Sequence, residues 1–397
     1  MNDSSNQPNA ANFRMVSAQA GGWVGDAASL GLHWLYDSDR IQQVAPERPE
    51  FLVPDPDYFE GGFGFFAHPG KRSGDISHYG AATWVLQQSL CENGGRLEVR
   101  DYQRRFRAFF GPGGQWQGYI DNPTRITLDN LSRNEQGAID RARAHESGLS
   151  EKQQKILVQK VLPYTRRLSG DQLREPVRKA IAMTYEKSSV QEAGVALAET
   201  IDQQLQPESG ADDTQLPAVS KLPPLVACYT GRPDLLVVVE AAVRVTNHND
   251  EAVAWARCVA VLLDALYQGK PMTDALDLAQ EQGPDVEKLR DARNTSRLDA
   301  LSAGDRFGRT CYLHEAMPVI FHILSHAGSF VEAIRANIYC GGDSCGRAWV
   351  IGPAMGAVSR PGSECGVPLS WLARVHESSS MMKEAENLIG PEFAGKS

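Results

Sequence analysis

From Ala252 to Leu266 the sequence is apolar on nearly every side of a helical wheel, interrupted only by Arg257 and Asp264. A helix with no polar face has to be wrapped by other elements, so the fold must be built around this segment. The elements available to wrap it are helices too. After His78, the residues Ala82, Val85, Leu86 and Leu90 recur at helical spacing, while Gln87 and Gln88 face away. After Ser329, Phe330, Ile334 and Ile338 share one face and Glu332 and Arg335 the other. The run Val237 to Val239 is strand-like, but Glu240 and the alanines after it favour helix, and no succession of alternating strands exists. The fold class is therefore all-α, with expected helix cores at 78–91, 251–266 and 329–339.

The polar segments 150–206 and 269–305 read as surface helices, two or three in the first. Neither has the Pro, Gly or Ser richness of a linker, so residues 13–397 are expected to form one domain. Residues 1–12 are polar and lack the basic and apolar regions of a signal peptide; they are expected to be a disordered tail. The chain has 397 residues, 42% of them hydrophobic, and a net charge of −9 spread along its length. That charge argues against a nucleic-acid partner, which needs a concentrated basic face. No run of about 18 apolar residues is available to cross a membrane. The seven cysteines are scattered, without CxxC pairs or the histidine spacing of a zinc site. This fits a reducing, cytoplasmic setting.

Glycine-rich loops between the apolar segments carry the residues with chemistry. Gly25-Asp26 sits in a stretch of small residues that lets a helix approach other backbones closely, and it leads to His33 and Tyr36. Ser77 can cap the helix that follows it. His78 can serve as acid or base, or simply pack. In Gly118-Tyr-Ile-Asp-Asn-Pro-Thr-Arg, Asp121 and Arg125 form either a structural ion pair or a phosphate clasp. Asp213 lies in an acidic loop before a proline-punctuated apolar segment. His248, in Thr246-Asn-His-Asn-Asp, stands at the start of the central helix, where Asn249 or Asp250 can cap. Gly341-Gly342-Asp343-Ser344-Cys345 lies between two helical segments. Its backbone N–H groups can cradle phosphate or ribose oxygens, and a helix N-terminus favours a thiolate at Cys345.

The order and spacing of these motifs, from Gly25-Asp26-Ala27 through Ser77, Pro223-Pro224-Leu225 and Thr246-Asn247-His248 to Gly341-Gly-Asp-Ser, resemble the ADP-ribosylglycohydrolase family over roughly residues 13–360. The resemblance implies an orthogonal multi-helix bundle. It also implies hydrolysis of the glycosidic bond that joins ADP-ribose to a protein side chain, or of a related ADP-ribosyl linkage, usually with two magnesium ions. The ligand or partner would be an ADP-ribose-like small molecule or a modified protein. Where the family typically reads Thr-Asp-Asp-Thr, this chain has Ser77, His78, Tyr79 and Gly80. Where the family continues Asp-x-Asp-Thr, it has Asp343, Ser344, Cys345 and Gly346. Magnesium needs several hard oxygen ligands, so it is disfavoured here, with at most a weak site at Asp343.

The substituted pattern is similar to a branch of the family that contains jellyfish J-crystallin and selenoprotein J. Three functional readings follow. In the first, the chain is a hydrolase with a degenerate metal site, in which Asp343 or His78 acts on water. Substrate would then be held by Asp26, Ser77, Tyr79, Asp121, Arg125, Asp213, His248, Gly341, Gly342 and Ser344. In the second, it is a thiol-dependent enzyme using Cys345, with Cys340 near it in sequence. In the third, it is a non-catalytic, crystallin-like structural protein. Because their motifs resemble the family's site loops, Asp26, Ser77, His78, Tyr79, Asp121, Asp213, His248, Asp343 and Cys345 are expected to line one cleft.

Overall fold

The computed structural model describes residues 7–145, 149–205, 209–295 and 299–389. Helices take up 68% of the chain, and the described residues form no sheet; their backbone bridges are isolated, such as Leu35 with Gly64 and Gln215 with Tyr312. The strand-like valines lie inside the Leu235–Arg244 helix. The three expected helix cores are present as His78–Glu92, Asp250–Tyr267 and Phe330–Cys340, each led by a side-chain cap from Ser77, Asn249 and Ser329. Such caps satisfy N–H groups that the first helical turn leaves open. No helix among the described residues is long and apolar enough to cross a membrane.

Two helices form the axis of the bundle. Asp250–Tyr267 buries Trp255, Cys258 and Leu262 on one side and Val253, Ala256 and Ala260 on another, as its composition requires. Ser344–Val358 is buried from Ser344 to Ala357 without interruption. It lies directly against the Gln7–Ser29 helix, backbone to backbone. A methyl group on Gly21 would fall inside the Gly352 carbonyl, and one on Gly356 inside that of Ser17. Glycine in a helix costs about 1 kcal/mol relative to alanine, and here it permits an approach that no side chain would allow. The first helix begins at Gln7, so the expected disordered tail does not reach residue 12; residues 1–6 lie outside the described residues.

The polar segment after residue 150 forms the helices Glu151–Thr165, Arg174–Ala182 and Ser188–Gln204. They close over a small apolar cluster of their own. Leu157, Val177, Ile181 and Ile201 pack there against Ala138 and Ile139 of the Asn122–His145 helix.

Candidate functional site

Six chain segments deliver polar side chains to one place in the interior. The Gln7–Ser29 helix brings Asp26, the turn after it His33, and the following loop His68. The start of the His78–Glu92 helix brings Ser77, His78 and Tyr79. Asp121 stands just before Asn122–His145, where its Oδ1 accepts from the Thr124 amide at 2.8 Å. Asp343 caps Ser344–Val358 by accepting from the Gly346 amide at 3.0 Å. Residues more than 300 positions apart thus become neighbours.

Asp343 is the hub. Its Oδ2 accepts from the Tyr79 hydroxyl at 2.5 Å and its Oδ1 pairs with His33 Nε2 at 2.9 Å. A carboxylate only accepts, so His33 donates at Nε2. Burial lowers the His33 pKa, so the ring is neutral and its Nδ1 accepts from His68 Nε2 at 2.7 Å. Burial alone would raise the Asp343 carboxyl, but the donors outweigh it and hold it at about 2. Burial and Asp343 together keep Tyr79 protonated, far above its ordinary value. Fully buried Arg347 fixes the turn that carries the hub: its Nη2 donates to the Gly341 carbonyl at 2.5 Å and its Nε to Asn337 Oδ1 at 2.8 Å.

Asp26 makes the second centre. It accepts from the Ser77 hydroxyl at 2.5 Å and from the Ser77 amide at 2.9 Å. Burial raises its carboxyl to about 6 against those bonds. Its oxygen occupies the space where a side chain at Gly80 would begin. Cys345 lies beside it, with Sγ donating to the Asp26 carbonyl at 3.7 Å. Its surroundings oppose the reactive thiolate expected there. Cys345 has no exposure, and burial, then Asp26 and Asp343, push its thiol well above the usual range. Desolvation outweighs the helix terminus, and Cys365 is the exposed cysteine instead.

The third centre is a cavity of about 10 Å3, lined among others by His78, Tyr79, Asp121, Lys221 and Thr246. That is room for about one water. His78 Nε2 lies 3.3 Å from Asp121 Oδ2, yet neither atom, nor His78 Nδ1, has a well-aligned hydrogen bond. Lys221 is wholly buried, and its Nζ donates to the Pro217 carbonyl at 2.7 Å and to Thr246 Oγ1. Burial lowers the Lys221 pKa to about 7, against the pull of Asp121 and Asp213. The Thr246 hydroxyl donates to Asn247, whose amide donates to Asp213 at 3.2 Å. Asp213 is raised to about 6 by burial.

Over this region lies an aromatic cover. Trp34 meets Tyr119 edge-on at 4.9 Å and tilts against Phe65 at 5.9 Å and His78 at 5.9 Å. Trp34 has φ +66°, a conformation that costs a bulky residue about 1–2 kcal/mol. Two backbone bonds hold it there: its N–H donates to the Gly342 carbonyl at 2.8 Å and its carbonyl accepts from Phe65 at 3.0 Å.

Other expected substrate contacts fall away. Arg125 is exposed and turned to Asn122 Oδ1 and the Ile120 carbonyl, not to Asp121. The His248 amide donates to the Ala211 carbonyl at 2.7 Å, and Asn249 caps the central helix beside it. The Gly341 and Gly342 amides donate to the carbonyls of Ile338 and Leu35, so they cannot cradle phosphate. The Ser344 hydroxyl is buried toward the Ser29 carbonyl at 3.4 Å. Conversely, His33 was visible only as a residue near Asp26, and Lys221 only as part of an apolar segment. Nothing in the sequence marked His68, Asn337 or Arg347.

The family model for ADP-ribosylglycohydrolase matches residues 8–395. Crystallin J1A of Tripedalia cystophora is 26% identical over 388 residues, covering 94% of this chain and 96% of the relative. Crystallin J1B of the same animal is 24% identical over 389 residues, covering 95% and 96%. A solved chain described as an ADP-ribosylglycohydrolase-related protein complex has a TM-score of 0.57 over 96% of this chain and 98% of that one. At 18% identity it is a likeness of fold.

Proposed function

This chain belongs to the ADP-ribosylglycohydrolase family, and from that premise we propose that it hydrolyses an ADP-ribosyl N-glycosidic bond by side-chain acid–base chemistry, without a magnesium pair. The observation that carries the reading is the buried His78–Asp121 pair at the small cavity, with Nε2 3.3 Å from Oδ2 and the other ring nitrogen, Nδ1, left without a hydrogen bond. Buried polar groups are otherwise almost always satisfied, and open ones beside a water-sized space form a reaction centre.

In this reading His78, backed by Asp121, takes the proton of the attacking water. Lys221, with a pKa of about 7, can give a proton to the leaving nitrogen at neutral pH. The carboxylates of Asp121 and Asp343 favour the positive charge that grows on the ribose carbon. Asp343 itself is a poor base, because its oxygens already accept from three donors and its carboxyl is held at about 2. It positions Tyr79 and His33. The same saturation argues against a magnesium pair. Asp343 and Asp26 spend their oxygens on protein donors, and no group of three acidic, histidine or cysteine residues among the described residues has the geometry of a metal site. The substrate would be an ADP-ribose-like small molecule or an ADP-ribosylated protein, admitted by displacement of the Trp34–Phe65–Tyr119 cover.

A second reading rests on closure. The cluster is nearly sealed, its cavity holds about one water, and the relatives named above are crystallins. A purely structural protein would look the same at Asp343, but it would have no need for an open Nδ1 on a buried His78. Mass spectrometry of ADP-ribose released from arginine- and serine-linked ADP-ribosyl peptides separates the two. The expected result is release by the wild type, reduced about a hundredfold or more in His78→Gln. Release by the wild type no greater than by the variant would favour the structural protein.

A further inference from the structure

The Val99–Phe110, Asn122–His145 and Glu151–Thr165 helices enclose a second cavity, of about 560 Å3, which shares no lining residue with the His78–Asp343 cluster. That volume suits a small organic ligand. Five arginines line it, Arg100, Arg104, Arg107, Arg166 and Arg167, with Glu135 the one acidic side chain in the lining.

The charges do not cancel. Arg107 and Arg166 both grip Glu135, at 2.6 Å and 2.7 Å, so two guanidiniums share one carboxylate. Arg100 stands 3.4 Å from Asp202. Arg104 is the informative residue. Its side chain is only 13% exposed, and its one ion pair among the described residues is with Asp101 at 3.5 Å. Asp101 is already claimed by Arg105 at 2.7 Å, Ser89 at 2.6 Å and Asn93 at 3.0 Å. Nε and Nη1 of Arg104 are buried without any partner. Among the described residues, even with Asp101 and Asp202 counted beside Glu135, five cations face three anions, and two positive charges remain. A buried guanidinium with open donors is unfavourable until an anion meets it. Burial accordingly lowers the Arg104 pKa.

Leu128, Leu131 and Pro112 line the cavity as well. We propose that it binds a phosphorylated small molecule, with the phosphate taken by Arg104 and Arg167 and the organic part lying on Leu128 and Leu131. Two uncompensated charges match a phosphate dianion better than a single carboxylate, and the guanidinium fork fits phosphate oxygens bidentately. The site shares no residue with the His78–Asp343 cluster, so it stands whether or not the chain is a hydrolase.

The test is calorimetric titration of the full chain with p-nitrophenyl phosphate. One equivalent should bind, with affinity falling about tenfold or more in Arg104→Leu and in Arg167→Glu, and rising salt should weaken it. Arg167 is exposed at the rim, so its variant tests the site even if Arg104→Leu fails to fold. His78→Gln should bind as the wild type does. The proposal is overturned by absence of binding at millimolar concentration. It is equally overturned if Arg167→Glu leaves the affinity unchanged, or if binding is lost in His78→Gln instead.

Discussion

Replacing Asp26 by asparagine should stabilise the protein at neutral pH, although it alters a fully buried polar pair. Burial raises the Asp26 carboxyl from 3.8 to about 6, with the Ser77 hydroxyl and amide opposing it. The folded value lies above the unfolded one. The stability this group contributes is therefore fully present below about pH 3.8 and is lost as pH rises through about 6. A shift of roughly two units, at about 1.4 kcal/mol each, means that ionised Asp26 costs the fold about 3 kcal/mol. Asparagine keeps the shape and never ionises. Its Oδ1 can accept from the Ser77 amide while its NH2 donates to Ser77 Oγ. Urea unfolding of both proteins at stepped pH is the assay. The advantage of Asp26→Asn should grow by about 3 kcal/mol between about pH 4 and pH 7.5. With an unfolding entropy of about 2.1 cal/mol/K per residue, that amounts to a melting shift of about 3–4 °C for 397 residues. A stability difference that stays flat across this window, or that turns against the variant as pH rises, would refute the reasoning.

Arg335→Leu should lose about 3–5 kcal/mol in urea unfolding, because it strips both hydrogen bonds, at 2.7 Å and 3.0 Å, from the buried Glu50 carboxylate; a loss under about 1 kcal/mol would mean that water reaches Glu50. Alkylation at neutral pH with peptide mapping should label Cys365 first and Cys345 last, and early labelling of Cys345 would restore the thiol reading. Calorimetric titration with magnesium chloride should show no pair of tight sites, since Asp343 would have to give up Tyr79 and His33 to ligate; two tight equivalents would show that the cluster rearranges around metal.

The helices that wrap the core were legible because periodicity reports directly on burial, and the Gly-Gly-Asp motif correctly marked a turn into a helix. The Ser344–Val358 helix was harder to see. Gly346, Gly352, Pro353 and Gly356 are poor helix formers; Gly352 and Gly356 are there because the Gln7–Ser29 backbone lies against them, and Gly346 because Tyr79 and Leu216 do, which no local pattern reveals. Cys345 illustrates a competition that sequence cannot weigh. Its position at a helix start lowers a thiol pKa, and its depth raises it, but only the position can be read from residues. Lys221 poses the same problem, since a lysine among prolines and leucines gives no sign that its ammonium points inward. His68 and Trp34 sit in a loop whose course is dictated by contacts with residues near position 342 and with the buried His33, far away in the chain.

That long reach sets a timetable for the molecule. His33 and Asp343 are separated by 310 residues, and the first helix pairs with one of the last. At a synthesis rate of about 5–20 residues per second, the partner of the Gln7–Ser29 helix emerges tens of seconds after it. Throughout that interval Trp23 has Trp84 but not Trp349, the glycine face around Gly21 lacks the backbone it lies against, and the carboxylate that neutral His33 and Tyr79 surround does not yet exist. The polar interior is therefore assembled last, as a closing event of synthesis. A nascent chain stalled before Asp343 presents an open apolar seam of the kind that chaperones recognise.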